Sequence, residues 1–231
     1  MRGLMFLPLF ILLFLNVSSD TKTMSKSQGD LPSQDSTISF LALGDSYTIG
    51  QSVASSENFP TQTVNILRAH HLTVSDPDII ATTGWTTSDL IAAISNGNQR
   101  IYSCVTLLIG VNNQYQGRST EVYKSEFKSL LESAIRYAGN SKEHVYVLSI
   151  PDYSVTPFAR RLDTSKIAKE IDLYNLINKT IALQLGVHYL DITPISRESK
   201  NDPLLIAADG LHPSAVQYKK WAYLLARMIM K

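Results

Sequence analysis

Five short apolar runs, each separated from the next by a segment of helical spacing, constrain this chain more than any other feature. The runs are Ile38 to Leu43, Ile79-Ile80-Ala81, Val105 to Ile109, Val145 to Ile150 and Val187 to Ile192. Val105 to Ile109 and Val145 to Ile150 read as strands buried on both faces, and Ile79-Ile80-Ala81 and Val187 to Ile192 as short strands. Between them, Pro60 to Ala69 spaces Val64 and Leu67, with His71 continuing the pattern, as on one helix face. Thr87 is placed to cap a helix carrying Leu90, Ile91 and Ile94. Val122 to Tyr137 turns Phe127, Leu130, Leu131, Ala134 and Ile135 inward and stops at Gly139-Asn140. Thr164 to Leu185 repeats Ile167, Ile171, Tyr174, Ile177, Ile181 and Leu185 every three or four residues and ends at Gly186. Ser214 with Gln217 resembles a capping box for a last helix through Met230. Strands alternating with helices imply a parallel sheet covered on both faces.

The first 36 residues stand apart from this pattern. Arg2, the apolar run Leu4 to Leu15 and the small residues Val17-Ser18-Ser19 follow the charged, apolar, small order of a secretory signal over residues 1–19. The run falls short of the ~20 residues a membrane span needs, so an exported product with no stable span after cleavage is expected. An uncleaved anchor is the alternative. Residues 20–36 are polar and rich in Ser, Thr, Lys, Asp and Gln, which reads as a disordered leader. Residues 37–231 then have the size of one ordinary domain. The net charge of +1 gives no reason to expect a nucleic-acid partner. The single cysteine, Cys104, cannot form an internal disulfide and stands at the head of an apolar strand, as a core thiol would.

In an open parallel sheet the ligand site lies beyond the carboxyl ends of the strands. The residues found there are Gly44-Asp45-Ser46, Thr82-Thr83-Gly84, Gly110-Val111-Asn112-Asn113 and Pro151-Asp152-Tyr153, with Asp209-Gly210-Leu211-His212 before the last helix. Ser46 is exposed to substrate in such a turn, but a serine hydroxyl needs a base to act as a nucleophile at neutral pH. His70 and His71 fall at a helix end, and His144 and His188 open strands. His212 differs, because Asp209 three residues before it can reach its Nδ1–H and fix the tautomer. Developing negative charge would need donors. The Ser46 N–H, the Gly84 N–H, unobstructed by a side chain, and the Asn112 amide are the candidates.

These blocks resemble those of the SGNH (GDSL-like) hydrolases. Gly44-Asp45-Ser46-Tyr47 resembles the opening Gly-Asp-Ser block and Gly84 the second-block glycine. Gly110-Val111-Asn112-Asn113 resembles the Gly-x-Asn-Asp block, and Asp209-Gly210-Leu211-His212 the closing Asp-x-x-His block. The resemblance runs from about Thr37 to Lys231. It implies a flavodoxin-like three-layer α/β/α sandwich with a five-stranded parallel sheet. It also implies Ser46 as nucleophile, His212 as base, Asp209 as the acid orienting it, and Ser46, Gly84 and Asn112 as the oxyanion hole. Two departures stand out: Tyr47 where many members carry Leu, and Asn113 in place of the usual Asp.

The expected activity is hydrolysis of carboxylic esters through an acyl-enzyme on Ser46, with no metal and no cofactor. A short-chain ester, a lysophospholipid and an acetylated sugar all stand as substrates. An acyltransferase using the same serine, or a non-catalytic binding module on the same fold, are the alternatives. The long connection Pro151 to Arg160 offers Tyr153, Val155 and Phe158 as pocket walls beside Tyr47, and Arg160 and Arg161 as partners for an anionic head group. Asn178-Lys179-Thr180 has the form of a glycosylation sequon but falls inside a helix.

Overall fold

The computed structural model describes residues 37–95 and 100–231. The signal and leader segments expected over residues 1–36 lie outside the described residues. Five parallel strands form one sheet: β1 (Phe40–Gly44), β2 (Asp78–Ala81), β3 (Cys104–Leu108), β4 (Val145–Leu148) and β5 (His188–Leu190). Their order is β2-β1-β3-β4-β5. Each strand falls within or beside one of the five apolar runs. β1 and β3 are buried at every position, as strands covered on both faces must be.

Among the described residues eight α-helices connect or follow the strands: α1 (Ser46–Ile49), α2 (Phe59–Ala69), α3 (Thr87–Ser95), α4 (Val111–Tyr115), α5 (Thr120–Tyr137), α6 (Thr164–Leu185), α7 (Thr193–Arg197) and α8 (Ala215–Ile229). The connection from β1 to β2 steps one way across the sheet and the later ones step the other way. Right-handed crossovers therefore put α2 on one face and α3, α5 and α6 on the other. Accordingly α2 packs on α8, while α5 packs on α3 and α6. This is the expected α/β/α sandwich. The reversal of direction between β1 and β3 opens a crevice where their carboxyl ends part.

Several local expectations shift for identifiable reasons. α2 ends at Ala69, so His71 does not continue its face; it sits at φ 65° and is exposed. The α3 cap lies one residue early, where the Asp89 carboxylate takes both the N–H and the hydroxyl of Thr86. At α8, Ser214 does cap the Gln217 N–H, but the Gln217 amide turns away to Ser199 and the Leu205 carbonyl. Along α6 the buried stripe runs through Asn178 and leaves Ile177 half-buried. The reason is a buried hydrogen bond, with Tyr123 Oη donating to Asn178 Oδ1 at 2.6 Å. The sequon asparagine is thus a core residue. Cys104 is buried in β3, and burial pushes its thiol well above its ordinary value.

Candidate functional site

The turn after β1 sets the first element of the site. Asp45 caps α1, its Oδ1 accepting the Tyr47 N–H at 3.0 Å. Ser46 is therefore the first residue of a helical turn, where a backbone N–H has no partner inside the helix. Asp45 is buried, and burial pushes its carboxyl up to about 7 against the pull of the Tyr47 and Gly110 N–H groups.

The second element is the segment before α8. Ile206 and Pro213 bridge in antiparallel fashion, the Ala207 N–H donates to the His212 carbonyl, and Gly210 at φ 74° makes the bend. Within this closed loop Asp209 Oδ1 accepts the N–H groups of Leu211 and His212 at 2.9 and 3.0 Å. The loop aims His212 so that its Nδ1 lies 2.6 Å from Asp209 Oδ2 and its Nε2 lies 3.0 Å from Ser46 Oγ. Three side chains separated by up to 166 positions thus stand in one hydrogen-bonded line. An imidazole held this way can take a hydroxyl proton on one side while the carboxylate steadies the resulting charge on the other. Partial burial works against ionisation of Asp209. Hydrogen bonds from Ser52, from His212 and from the two backbone N–H groups outweigh it and hold the carboxyl well below the usual range.

Gly84 and Asn112 border the same crevice. The Trp85 N–H closes a turn onto the Thr82 carbonyl, with Gly84 at φ 86° in its third position. Such a turn demands a positive φ there. A Cβ on Gly84 would meet no protein atom within 4 Å, so within the protein the glycine answers to backbone conformation. Asn112 Nδ2 donates one hydrogen to the Trp85 carbonyl at 2.9 Å, which fixes the amide and leaves its second hydrogen for another acceptor. Gly110 precedes this helix at φ 129°, and a Cβ there would lie 2.4 Å from Tyr123 Oη. Asn113, the departure noted above, is buried; its Oδ1 accepts the Thr87 N–H at 3.0 Å and its Nδ2 donates to Thr87 Oγ1 at 2.6 Å.

A cleft of about 140 Å³ with mainly apolar walls opens beside Ser46 and His212. Tyr47, Tyr153 and Phe158 line it, as expected. The Tyr47 ring lies 5.4 Å from the His212 ring, and Tyr153 and Phe158 lie 6.3 Å apart. Val155 does not reach this cleft; with Arg160 it borders a separate depression next to Thr164 and Lys200. Because the connection after β4 folds into two 3-10 turns, Tyr153–Val155 and Pro157–Arg161, its side chains leave in different directions. Thr83, Val111, Tyr115 and Leu211 complete the walls and were missed. Val111 and Tyr115 stand one turn apart on α4, a spacing that shares a face once that helix is recognised.

Among the described residues no three His, Cys, Asp or Glu side chains gather as a metal-holding group, and no helix is long and apolar enough to cross a membrane.

Comparison with known proteins bears on the whole arrangement. No curated protein sequence matches this chain. Solved structures do. The acetylxylan esterase Axe2 of Geobacillus stearothermophilus superposes with a TM-score of 0.65 at 20% identity, over 85% of this chain and 96% of that one. A lipase/acylhydrolase of Enterococcus faecalis gives 0.61 at 19% identity over 83% and 95%. The protein described as TesA gives 0.60 at 14% identity over 83% and 97%. At these identities the likeness shows the fold. The profile of one sequence family, described as GDSL-like Lipase/Acylhydrolase, matches residues 42–220, from within β1 into α8. With most of the chain inside that match, the protein belongs to the GDSL-like lipase/acylhydrolase family and is a carboxylic ester hydrolase.

Proposed function

We propose that the protein hydrolyses esters of short acyl groups through a covalent acyl-enzyme on Ser46. The observation that carries this reading is the line Ser46 Oγ, His212 Nε2, His212 Nδ1, Asp209 Oδ2, with contacts of 3.0 and 2.6 Å at its two ends. In the proposed reaction His212 takes the proton of Ser46 as the oxygen attacks the ester carbonyl. The oxyanion is held by the N–H groups of Ser46 and Gly84 and the free hydrogen of Asn112 Nδ2. His212 then protonates the leaving alcohol, and a water deprotonated by His212 releases the acid in the second half-reaction. Asp209, held ionised by its four donors, keeps the imidazole in the required tautomer throughout.

The size of the cleft supports a short acyl group. At about 140 Å³ it is small beside the ~300–1,000 Å³ of pockets that take drug-sized ligands. Tyr115 and Phe158 stand half-exposed at the rim, 6.2 Å apart, where they can meet the flat face of a leaving group such as a sugar ring. The fold likeness to an acetylxylan esterase is consistent with an acetylated sugar as that substrate. We also propose export, on the charged, apolar and small order of residues 1–19.

The test is turnover of p-nitrophenyl esters from acetate to dodecanoate by the protein and by its Ser46→Ala variant. Turnover that peaks at the short esters and vanishes in the folded variant is the expected result. Equal turnover by both would remove Ser46 from the reaction. Acyl transfer to an added sugar in preference to water would make the protein a transferase on the same serine.

A further inference from the structure

We propose that Ser52 is a positioning residue for Asp209, donating its hydroxyl to the carboxylate and so fixing the face that the acid turns to His212. The proposal rests on the serine-esterase reading above and adds a fourth side chain to it. Ser52 Oγ lies 2.6 Å from Asp209 Oδ2, across 157 positions of sequence. The same Oδ2 lies 2.6 Å from His212 Nδ1. Of the four donors to this carboxylate, two backbone N–H groups and the imidazole belong to residues 211 and 212. Ser52 is the one donor from outside the Asp209–His212 loop. It alone ties the acid to the segment that carries the serine.

That tie is short and stiff. The Gly50 and Gln51 N–H groups both donate to the Ser46 carbonyl, at 3.1 and 3.0 Å, so Ser52 stands one turn beyond Ser46 on a single hydrogen-bonded unit. Gln51 Oε1 accepts the Thr83 hydroxyl at 2.7 Å, which links the same turn to the residue beside Gly84. Two successive side chains, Gln51 and Ser52, thus hold the oxyanion-side turn and the acid-bearing loop from one place.

A purely structural account of Ser52 explains little. Its backbone sits at φ 69°, a conformation that glycine adopts freely and serine does not. Its side chain is exposed and packs into no core. What serine offers here over glycine is a hydroxyl, and the hydroxyl is spent on Asp209. Among the influences that keep Asp209 ionised, the Ser52 hydrogen bond is the largest.

The experiment compares the full chain with Ser52→Gly and Ser52→Asn. Glycine removes the hydroxyl and relieves the backbone, so the fold should persist with an undiminished urea midpoint. Asparagine tolerates a positive φ and its amide can still donate to the carboxylate. We expect Ser52→Gly to lower kcat by about ten- to a hundredfold, short of the ~10⁴ lost when a triad carboxylate no longer sets the tautomer. KM should stay within about twofold, since Ser52 does not border the cleft. The far-downfield proton resonance of the imidazole N–H facing the carboxylate should weaken in Ser52→Gly, and Ser52→Asn should restore both it and most of kcat. Unchanged kcat and resonance in Ser52→Gly would overturn the proposal, as would equal impairment of the Gly and Asn variants. If the parent itself failed to turn over esters, the esterase reading would fall. The resonance, which needs no substrate, would still decide whether Ser52 orders the carboxylate and imidazole.

Discussion

The Asn113 side chain lies across the start of α3, its Oδ1 accepting the Thr87 N–H at 3.0 Å while its Nδ2 donates to Thr87 Oγ1 at 2.6 Å. The Thr87 hydroxyl in turn donates to Glu126, which also takes the Ser88 hydroxyl at 3.0 Å. An amide is required between these partners, because one of its atoms must accept while the other donates. Asn113→Ala leaves the buried Thr87 N–H without a partner and should cost about 1–3 kcal/mol in urea-monitored unfolding. Asn113→Asp should also destabilise, since a carboxylate faces a hydroxyl already committed to Glu126. Adding Glu126→Gln should recover part of that loss, and strict additivity of the two changes would show the residues to be uncoupled.

Asn112→Ala should lower kcat by ~10²–10³ with KM nearly unchanged, the cost of one oxyanion donor. Gly84→Ala tests another of the proposed oxyanion donors by a different route. No neighbour obstructs a Cβ, so its penalty is the ~1–2 kcal/mol of holding alanine at φ 86°. If the turn relaxes to avoid that penalty, the N–H rotates away and kcat falls while stability holds. If instead stability falls and kcat holds, the Gly84 N–H is not a donor. Steady-state kinetics and thermal melts on the same preparations separate the two.

Two carboxylates should give the stability opposite dependences on pH. Asp45 binds its proton more tightly folded than unfolded, so its contribution is complete below about pH 4 and is lost as pH rises through about 7. Asp209 is depressed, so its contribution is present above about pH 4 and is lost only as pH falls through its lowered folded value. Between about pH 5 and pH 8 only Asp45 of the two imposes a slope, and that slope is downward. Asp45→Asn should flatten it. Urea midpoints of parent and variant at several pH values across that window provide the check, and parallel curves would exclude Asp45 as the source.

The acyl-length profile should respond to Tyr115. Its ring stands at the cleft mouth, 6.3 Å from Tyr153 and 6.2 Å from Phe158, and is more exposed than either. Tyr115→Ala should move the preferred p-nitrophenyl ester toward longer chains, by about 1–3 kcal/mol of discrimination for each added methylene accommodated. An unchanged profile with lower turnover on acetylated sugars would assign the ring to the leaving group instead.

The sheet was legible because β1, β3 and β4 are buried along their whole length and are almost wholly apolar, with Thr106 in β3 their one small hydroxyl residue. Ser46, Gly84, Asn112, Asp209 and His212 were legible because each follows a strand or precedes α8, where the topology gathers chain ends. The walls of the cleft were not. Val111 and Tyr115 belong to a helix of five residues, too short to show a period, and Leu211 is apolar in a loop otherwise read for its polar atoms. Val155 was misplaced because two successive 3-10 turns reorient a stretch that reads as one loop. Ser52 left no signal at all. A serine at positive φ looks like any other serine in a sequence, and its partner is 157 residues away.

The 166 positions between Ser46 and His212 also set when the protein can become active. The histidine lies in the last 20 residues, and α8, which follows it, packs on α2 from the opposite end of the chain. A chain still being synthesised has Ser46 without the His212 proposed as its base. Its hydroxyl is then no more reactive than any other. In the proposed mechanism, completion of folding is thus the step that arms Ser46.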